Sequence, residues 1–382
     1  MNQNKMVCIS SAYYYPHFGG VERYSENMAK YLVKEGCKVV ILTSAVGSKP
    51  GIEMMDNIII YRLPVLKMLH SRYPVPAIFS EEYRKLIKEF RKNNFSVFIL
   101  NTRFYLTTIL GLFLSRKGNS NAIIIEHGTG HIKTGSYLLD RIWIIMEHVL
   151  TWFQKTFFKP FYFGVSEACN RWLLHFGIKA SGVIYNGIDA EYDNTSKINY
   201  RELYKLPGDS VIFSFAGRLI KEKGIIFILD LFKEFIKKYP NAYLFVAGTG
   251  ALFEEVVKYN NENIFILGKL DHAEVMNLLS YTDVLLIPSD YPEGLPTLIL
   301  EGGFSKCAVI ATDKGGTKEV ITDDQLGFVL PDLDRKKFLT AIEELMTNID
   351  LRKVLKENLH QRVISKFSWK VIIQKALDLL DK

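Results

Sequence analysis

The chain has 382 residues, 48% hydrophobic and 23% charged, the composition of a soluble globular protein with enough length for two domains that each bury a core. Cys8, Cys37, Cys169 and Cys307 are scattered, with no Cys-x-x-Cys, which speaks against a disulfide framework and for a reducing cytoplasm, while the apolar run after Lys5 is too short for a signal peptide. The net charge of +7 divides into +10 for residues 1–190 and −3 for residues 191–382, so the first half either has a merely soluble basic surface or meets an acidic partner, such as an anionic membrane face or an anionic acceptor.

Met6-Val7-Cys8-Ile9-Ser10 reads as a buried strand, and Gly19-Gly20-Val21-Glu22-Arg23-Tyr24 opens a helix whose apolar positions Met28, Tyr31, Leu32 and Val33 recur at helical spacing. A Gly-Gly turn leading into a helix N-terminus suits close approach by a phosphate or a sugar. Further strands follow at Lys38 to Thr43, Asn57 to Leu63 and Phe95 to Leu100, alternating with helical stretches around 79–92 and 104–117. Such alternation implies βαβ units and a mainly parallel sheet.

Ala122-Ile123-Ile124-Ile125-Glu126 ends in His127-Gly128-Thr129-Gly130-His131. A histidine at the carboxyl end of a strand is a hydrogen-bonding residue of the binding cleft, so His127 is a candidate site residue. The Gly-Thr-Gly between His127 and His131 argues against a helix, and their spacing is not read as a zinc pair. The aromatic-rich segment from Tyr137 to Phe163 carries Asp140, Arg141, Glu147, His148, Lys155 and Lys159. These charges exclude an ordinary spanning helix, and a packed helix is the expected form, in preference to a membrane-facing one. Strands at 161–166 and 182–185 close the first sheet, and the polar residues 191–208 hold the boundary, giving domains of 1–190 and 191–366.

The second half restarts the pattern with strands at 211–216, 243–247, 263–267, 283–287 and 307–312. A last helix from Phe367-Ser368-Trp369 has Trp369, Ile372, Ile373, Ala376, Leu379 and Leu380 on its apolar face. The most informative stretch is Pro288-Ser289-Asp290-Tyr291-Pro292-Glu293-Gly294-Leu295-Pro296, continuing through Thr297-Leu298-Ile299-Leu300 to Glu301. It reads as strand, loop and helix N-terminus, with Pro296 in the first helical turn. Backbone from Gly294 and Leu295 to Thr297 and Leu298 can then meet a phosphate at the positive end of the helix. Glu293 and Glu301 would lie roughly 7–12 Å apart, given about 1.5 Å of rise per helical residue. Carboxylates accept from sugar hydroxyls and repel phosphate, so the ligand drawn by this logic is a nucleotide sugar. Spacing alone is weak, since Glu81/Glu89 and Glu254/Glu262 share it without the flanking strand and turn. Asp332-Leu333-Asp334 spells a metal-binding Asp-x-Asp, but Pro331 before it and a helix after it make Asp334 an N-cap instead.

The ordered set Gly19-Gly20, Asn186-Gly187-Ile188-Asp189, Gly217-Arg218-Leu219 with Lys223-Gly224, and Pro288-Ser289 with Glu293-Gly294 and Glu301 resembles glycosyltransferase family 4, retaining enzymes of the GT-B fold. The resemblance covers nearly the whole chain. It implies an α/β protein of two Rossmann-like domains facing a central cleft, with the helix from 367 to 382 packing back on the first domain. It also implies that Arg218 and Lys223 hold the diphosphate, Glu293 contacts donor-sugar hydroxyls and Glu301 takes the ribose hydroxyls. By the same likeness His127 lies near the reacting centre, Gly19 and Gly20 approach the phosphate, and Gly268-Lys269 meets the base through backbone. Arg218 as a planar fork, Lys223 as a point charge and the helix opening at Gly294 can neutralise the departing phosphate, so no cofactor and no metal are expected.

The expected partners are a nucleotide-sugar donor, UDP-linked in preference to GDP-linked, and a saccharide or lipid-linked acceptor in bacterial polysaccharide or glycolipid assembly. A peripheral contact with the inner face of the cell membrane is a further expectation, and nucleic acid is not a partner. The competing readings are a GT-B epimerase, a phosphorylase and a non-catalytic sugar-nucleotide-binding protein. Two departures from the family pattern stand out. Pro296 replaces a common glycine and removes an amide, and Gly302-Gly303 weakens its helix by about 1 kcal/mol per glycine.

Overall fold

Consecutive β-branched and aliphatic residues make strands buried on both faces, the arrangement a parallel sheet covered by helices requires. The computed structural model describes residues 5–17, 19–66, 73–132, 135–191 and 198–380. They form two units, Met1–Asn186 with Trp369–Lys382, and Gly187–Ser368. The division falls a few residues ahead of the expected 190, at the Asn186-Gly187 turn.

The first unit contains β1 (Met6–Ser10), β2 (Lys38–Ser44), β3 (Gly51–Met55), β4 (Ile58–Leu63), the short ribbon β5 (Val65–Leu66) and β6 (Val75–Pro76), then β7 (Val97–Asn101), β8 (Asn121–Glu126), β9 (Phe161–Gly164) and β10 (Gly182–Val183). Its helices are α1 (Gly20–Lys34), α2 (Glu81–Phe90), α3 (Leu106–Lys117), α4 (Tyr137–Phe157) and α5 (Glu167–Leu174). The eight-stranded sheet runs β10-β9-β8-β7-β1-β2-β4-β3. Every pairing is parallel except the hairpin of β3 with β4, whose exposed Ile52-Glu53-Met54 forms an edge that sequence periodicity did not mark. Phe90, Phe95, Phe98 and Leu100 pack into one core on this sheet, each large apolar side chain contributing about 1.5–3 kcal/mol by burial.

In the second unit the six strands β11 (Val211–Ala216), β12 (Ala242–Ala247), β13 (Ile264–Gly268), β14 (Val284–Ile287), β15 (Ala308–Thr312) and β16 (Phe328–Leu330) are ordered β13-β12-β11-β14-β15-β16. The helices are α6 (Tyr200–Leu203), α7 (Ile225–Lys238), α8 (Phe253–Val256), α9 (His272–Tyr281), α10 (Thr297–Phe304), α11 (Thr317–Val320), α12 (Arg335–Thr347) and α13 (Ile349–Phe367). Finally α14 (Trp369–Leu380) returns to the first unit. It buries Trp369, Ile372, Ile373, Ala376 and Leu377, with Trp369 edge-on to Tyr24 at 5.1 Å. Leu377 takes the place expected for Leu379, and the side chain of Leu380 lies outside the described residues.

Both sheets reverse their winding once, between β1 and β7 and between β11 and β14. At such a switch point the connections leave to opposite sides and open a crevice at the carboxyl ends of the strands. The Gly-Gly turn follows β1, the Arg218 segment follows β11 and the Glu293 loop follows β14, so chain topology delivers the motifs to these points.

Two expectations change. The glycines of α10 are spacers: a Cβ on Gly302 would run into Leu285 of β14, and one on Gly303 would lie 2.8 Å from Val363 Cγ2 of α13. Their low helix propensity is the cost of close packing on two elements. Helix α4 packs through Trp143 against Tyr73 and Phe104, but the residues it buries fully are Glu147, Thr151 and Gln154, while Tyr137, Leu138, Ile142, Ile145, Val149 and Trp152 are exposed. Among the described residues no helix is long and apolar enough to cross a membrane.

Candidate active site

The site of the second unit is built by backbone that only glycine allows. Gly224 has φ +69°, and a Cβ there would strike the carbonyl of Pro288, so glycine lets the loop after β11 lie directly on the loop after β14. Gly315, at φ +56°, likewise fits against the backbone of Glu293, and the Gly316 amide donates to the Gly294 carbonyl at 2.8 Å. The Asp290 amide donates to the Glu222 carbonyl at 2.7 Å. Thr312 Oγ1 donates to the carbonyls of Ile287, at 3.3 Å, and Ser289. Three segments thus pin the loop.

On this frame Lys223 Nζ pairs with Glu293 Oε1, which also accepts from Ser289 Oγ at 3.3 Å. The Tyr291 ring gathers two cations, with the Arg218 guanidinium 5.2 Å and the Lys223 ammonium 5.4 Å from its centroid. Such contacts hold a cation loosely, at about 0.5–1 kcal/mol when exposed. Pro296 is the N-cap of α10, one position earlier than expected, and Thr297 and Leu298 begin the helix. The Leu295 side chain is buried. Glu301, in the second turn of α10, is buried and has Oε1 3.3 Å from His272 Nε2. Gly268 ends β13 with φ +72° and accepts from the Gly248 amide at 2.7 Å, with Lys269 exposed beside it. The structure therefore brings Arg218, Lys223, Glu293 and the start of α10 together, with Gly268 and Lys269 two strands away from β11 in the same sheet. At the expected Asp-x-Asp, Asp334 is the N-cap of α12, accepting from the Lys337 amide at 2.8 Å.

In the first unit Gly19 is the N-cap of α1 in extended conformation. A Cβ at Gly19 would meet the Glu22 carboxylate, whereas among the described residues nothing beyond the chain neighbours and the helix's own backbone lies within 4 Å of one at Gly20. Burial raises the Glu22 carboxyl, and the His17 ring, 3.5 Å away, partly offsets it. His127 follows β8, and burial lowers its imidazole to about 3, so it is neutral at working pH.

The hydrogen bonds around His127 fix its tautomer. Ser25 Oγ donates to the Val21 carbonyl at 2.8 Å and accepts from Asn101 Nδ2 at 2.8 Å. Asn101 Oδ1 is then the atom 3.0 Å from His127 Nε2, so Nε2 carries the proton and Nδ1 keeps a lone pair. Tyr24 packs edge-on to the ring at 4.7 Å. Beside it, buried Arg103 lies between Glu126, at 2.8 Å, and Glu147, at 2.5 Å.

Sequence reasoning missed Ser289, Tyr291, Asn101, Ser25 and His272. The first two lie inside the recognised loop and were legible there. Asn101, at the end of β7, pairs with residues far away in the chain, and nothing local marks it.

Two parallel sheets, each carrying its chemistry at a strand reversal, define the GT-B fold, and solved structures agree. A glycosyltransferase from Rickettsia africae superposes with a TM-score of 0.76 at 19% identity, over 100% of this chain and 98% of that one. Anabaena HepE in complex with UDP gives 0.73 at 16% identity, over 99% of each chain, and the same protein with UDP-glucose gives 0.72 at 16%, over 98% and 99%. Residues 196–362 match the glycosyl transferases group 1, and residues 18–192 match Glycosyltransferase Family 4.

The chain belongs to these group 1, family 4 glycosyltransferases and is an enzyme of that class. It is 25% identical over 401 residues to an uncharacterized glycosyltransferase of Methanocaldococcus jannaschii, covering 100% of this chain and 99% of that protein. It is 23% identical over 388 residues to one component of the Homo sapiens phosphatidylinositol N-acetylglucosaminyltransferase, covering 98% of this chain and 76% of that protein.

Proposed function

We propose that the enzyme transfers a hexosyl group, with retention of configuration, from a nucleoside diphosphate sugar to a saccharide or lipid-linked saccharide in polysaccharide or glycolipid assembly. The observation that carries this reading is the grouping of Arg218 and Lys223 around Tyr291 and Glu293 beside the N-terminus of α10. Cleavage of a glycosyl–phosphate bond leaves charge on the β-phosphate, and two cations with helix-terminal amides can meet it without a metal. Lys223 is paired with Glu293. A diphosphate competes for that ammonium and releases the carboxylate, which can then accept from donor hydroxyls. His127 Nδ1 can accept from another hydroxyl, and Glu301 from the ribose. Acceptor attack on the face the diphosphate leaves, with the departing phosphate taking the proton, retains configuration and needs no enzyme nucleophile.

UDP is the favoured nucleotide and GDP the second, as the UDP and UDP-glucose complexes of the Anabaena neighbour support. A lipid-linked acceptor is supported by the phosphatidylinositol substrate in the name of the human relative, and by α4. Its exposed Ile142, Ile145, Val149 and Trp152, with exposed Arg141 on the same helix and Lys159 just after it, lie on the basic half of the chain, a combination suited to the surface of an anionic bilayer.

Thermal-shift measurements with UDP, GDP and ADP, followed by transfer of labelled sugar to lipid acceptors, test the proposal. The anomeric proton coupling of the product reads its configuration. The expectation is stabilisation by UDP and an unchanged anomer. An inverted product, or no stabilisation by any nucleoside diphosphate, would overturn it.

A further inference from the structure

His131, in the loop after β8, does not face its sequence neighbour His127. It faces His148 of α4 and His175 at the end of α5, and one ring nitrogen from each of the three lies within 4.8 Å of the others. We propose that His131, His148 and His175 bind one divalent transition-metal ion, zinc above all, as a structural clip on the first unit. This site is separate from the transfer chemistry, which is proposed to need no metal.

The support for one ligand is already built. His131 Nδ1 is 2.5 Å from Glu147 Oε2, and Glu147 Oε1 accepts from buried Arg103 at 2.5 Å. The carboxylate thereby fixes the tautomer with the proton on Nδ1 and leaves the Nε2 lone pair for a metal, the carboxylate–histidine arrangement that metal sites use. Tetrahedral zinc with bonds of about 2.0–2.1 Å needs its nitrogens about 3.4 Å apart. His148 and His175 are exposed and can close that gap by side-chain rotation.

The surroundings favour a cation too. His175 is the C-cap of α5, so the negative end of that helix faces the site. Trp172 stacks on His175 at 4.9 Å and Phe176 packs on His148 at 4.7 Å, giving the imidazoles an apolar wall. Three histidine ligands leave a fourth position for water. The ion would tie the loop that carries His127 to α4 and α5, three segments distant in sequence.

The test uses the full chain stripped by chelator, then titrated with zinc or cobalt(II). The expected result is one equivalent bound at micromolar or tighter affinity, a higher melting temperature, the visible absorption of tetrahedral cobalt, and quenching of Trp172, read against Trp172→Phe. The exposed pair His148→Ala/His175→Ala should bind at least about 100-fold more weakly, since altering even one supporting partner of a ligand costs 10–100-fold. Its unchanged UDP-induced thermal shift serves to show an intact fold. Wild-type binding no tighter than millimolar, or equal binding by the double variant, would overturn the assignment.

Discussion

Glu293→Gln separates ground-state binding from catalysis. Glu293 holds Lys223, with the two side chains 19% and 21% exposed, so water screens the pair in part. Exposed ion pairs are worth about 0.2–1 kcal/mol and charge-assisted hydrogen bonds about 1.5–3 kcal/mol, which places this one near 1 kcal/mol. A diphosphate must displace the carboxylate to reach Lys223. Removing the competitor should therefore tighten UDP binding by about 5-fold, as about 1.4 kcal/mol is tenfold.

The same substitution removes the carboxylate proposed to orient the donor sugar, and kcat should fall by at least about 100-fold, the scale of a lost transition-state contact. Lys223→Met should weaken UDP by about 10-fold or more. The double variant should bind UDP like Lys223→Met alone, because Glu293 acts on UDP through Lys223. Calorimetric titration with UDP and initial rates of sugar transfer read both effects. Weaker UDP binding in Glu293→Gln, or additive effects in the double variant, would refute the competition.

Gly303→Ala should destabilise the protein by about 1 kcal/mol in urea unfolding, because overpacking of about 1–3 kcal/mol against Val363 exceeds the helix-propensity gain of about 1 kcal/mol; a stabilised variant contradicts the spacer role. Burial lowers His127 from 6.5 to about 3, so the unfolded chain binds the extra proton between those values. Stability from this group is complete above pH 6.5 and is lost as pH falls toward 3, by a few kcal/mol at most. His127→Gln should flatten that part of the acid-unfolding curve, and an unchanged curve would count against the burial argument. Ile145→Glu with Trp152→Glu should abolish sedimentation with anionic vesicles while leaving the UDP thermal shift intact; retained sedimentation removes α4 as the docking face.

The strands and their switch-point loops were legible because a parallel strand buried on both faces is written as an unbroken apolar run, closed here by Gly217, Pro288 or His127. Glycine loops at strand ends carry their own geometry, and residues 288–296 announced themselves for that reason. What a side chain meets was not legible, because a partner is set by topology and not by distance along the chain. Between Lys223 and Glu293 the chain passes through three strands, β12, β13 and β14, and no local pattern joins them.

Helix α4 shows the limit most clearly. Glu147, Thr151 and Gln154 follow helical spacing, i, i+4 and i+7, and taken alone such a stripe is the solvent side of an amphipathic helix. It turns inward because Arg103, just after β7, has Glu126 of β8 at its Nε and takes the partners of its terminal nitrogens from α4. Thr151 Oγ1 accepts from its Nη1 at 2.8 Å, Glu147 takes its Nη2, and Gln154 Nε2 donates to its backbone carbonyl. A buried guanidinium left without such partners would cost several kcal/mol. One buried arginine thus helps to set the orientation of a whole helix, with Ile142, Ile145, Val149 and Trp152 turned outward and Glu147 set against His131.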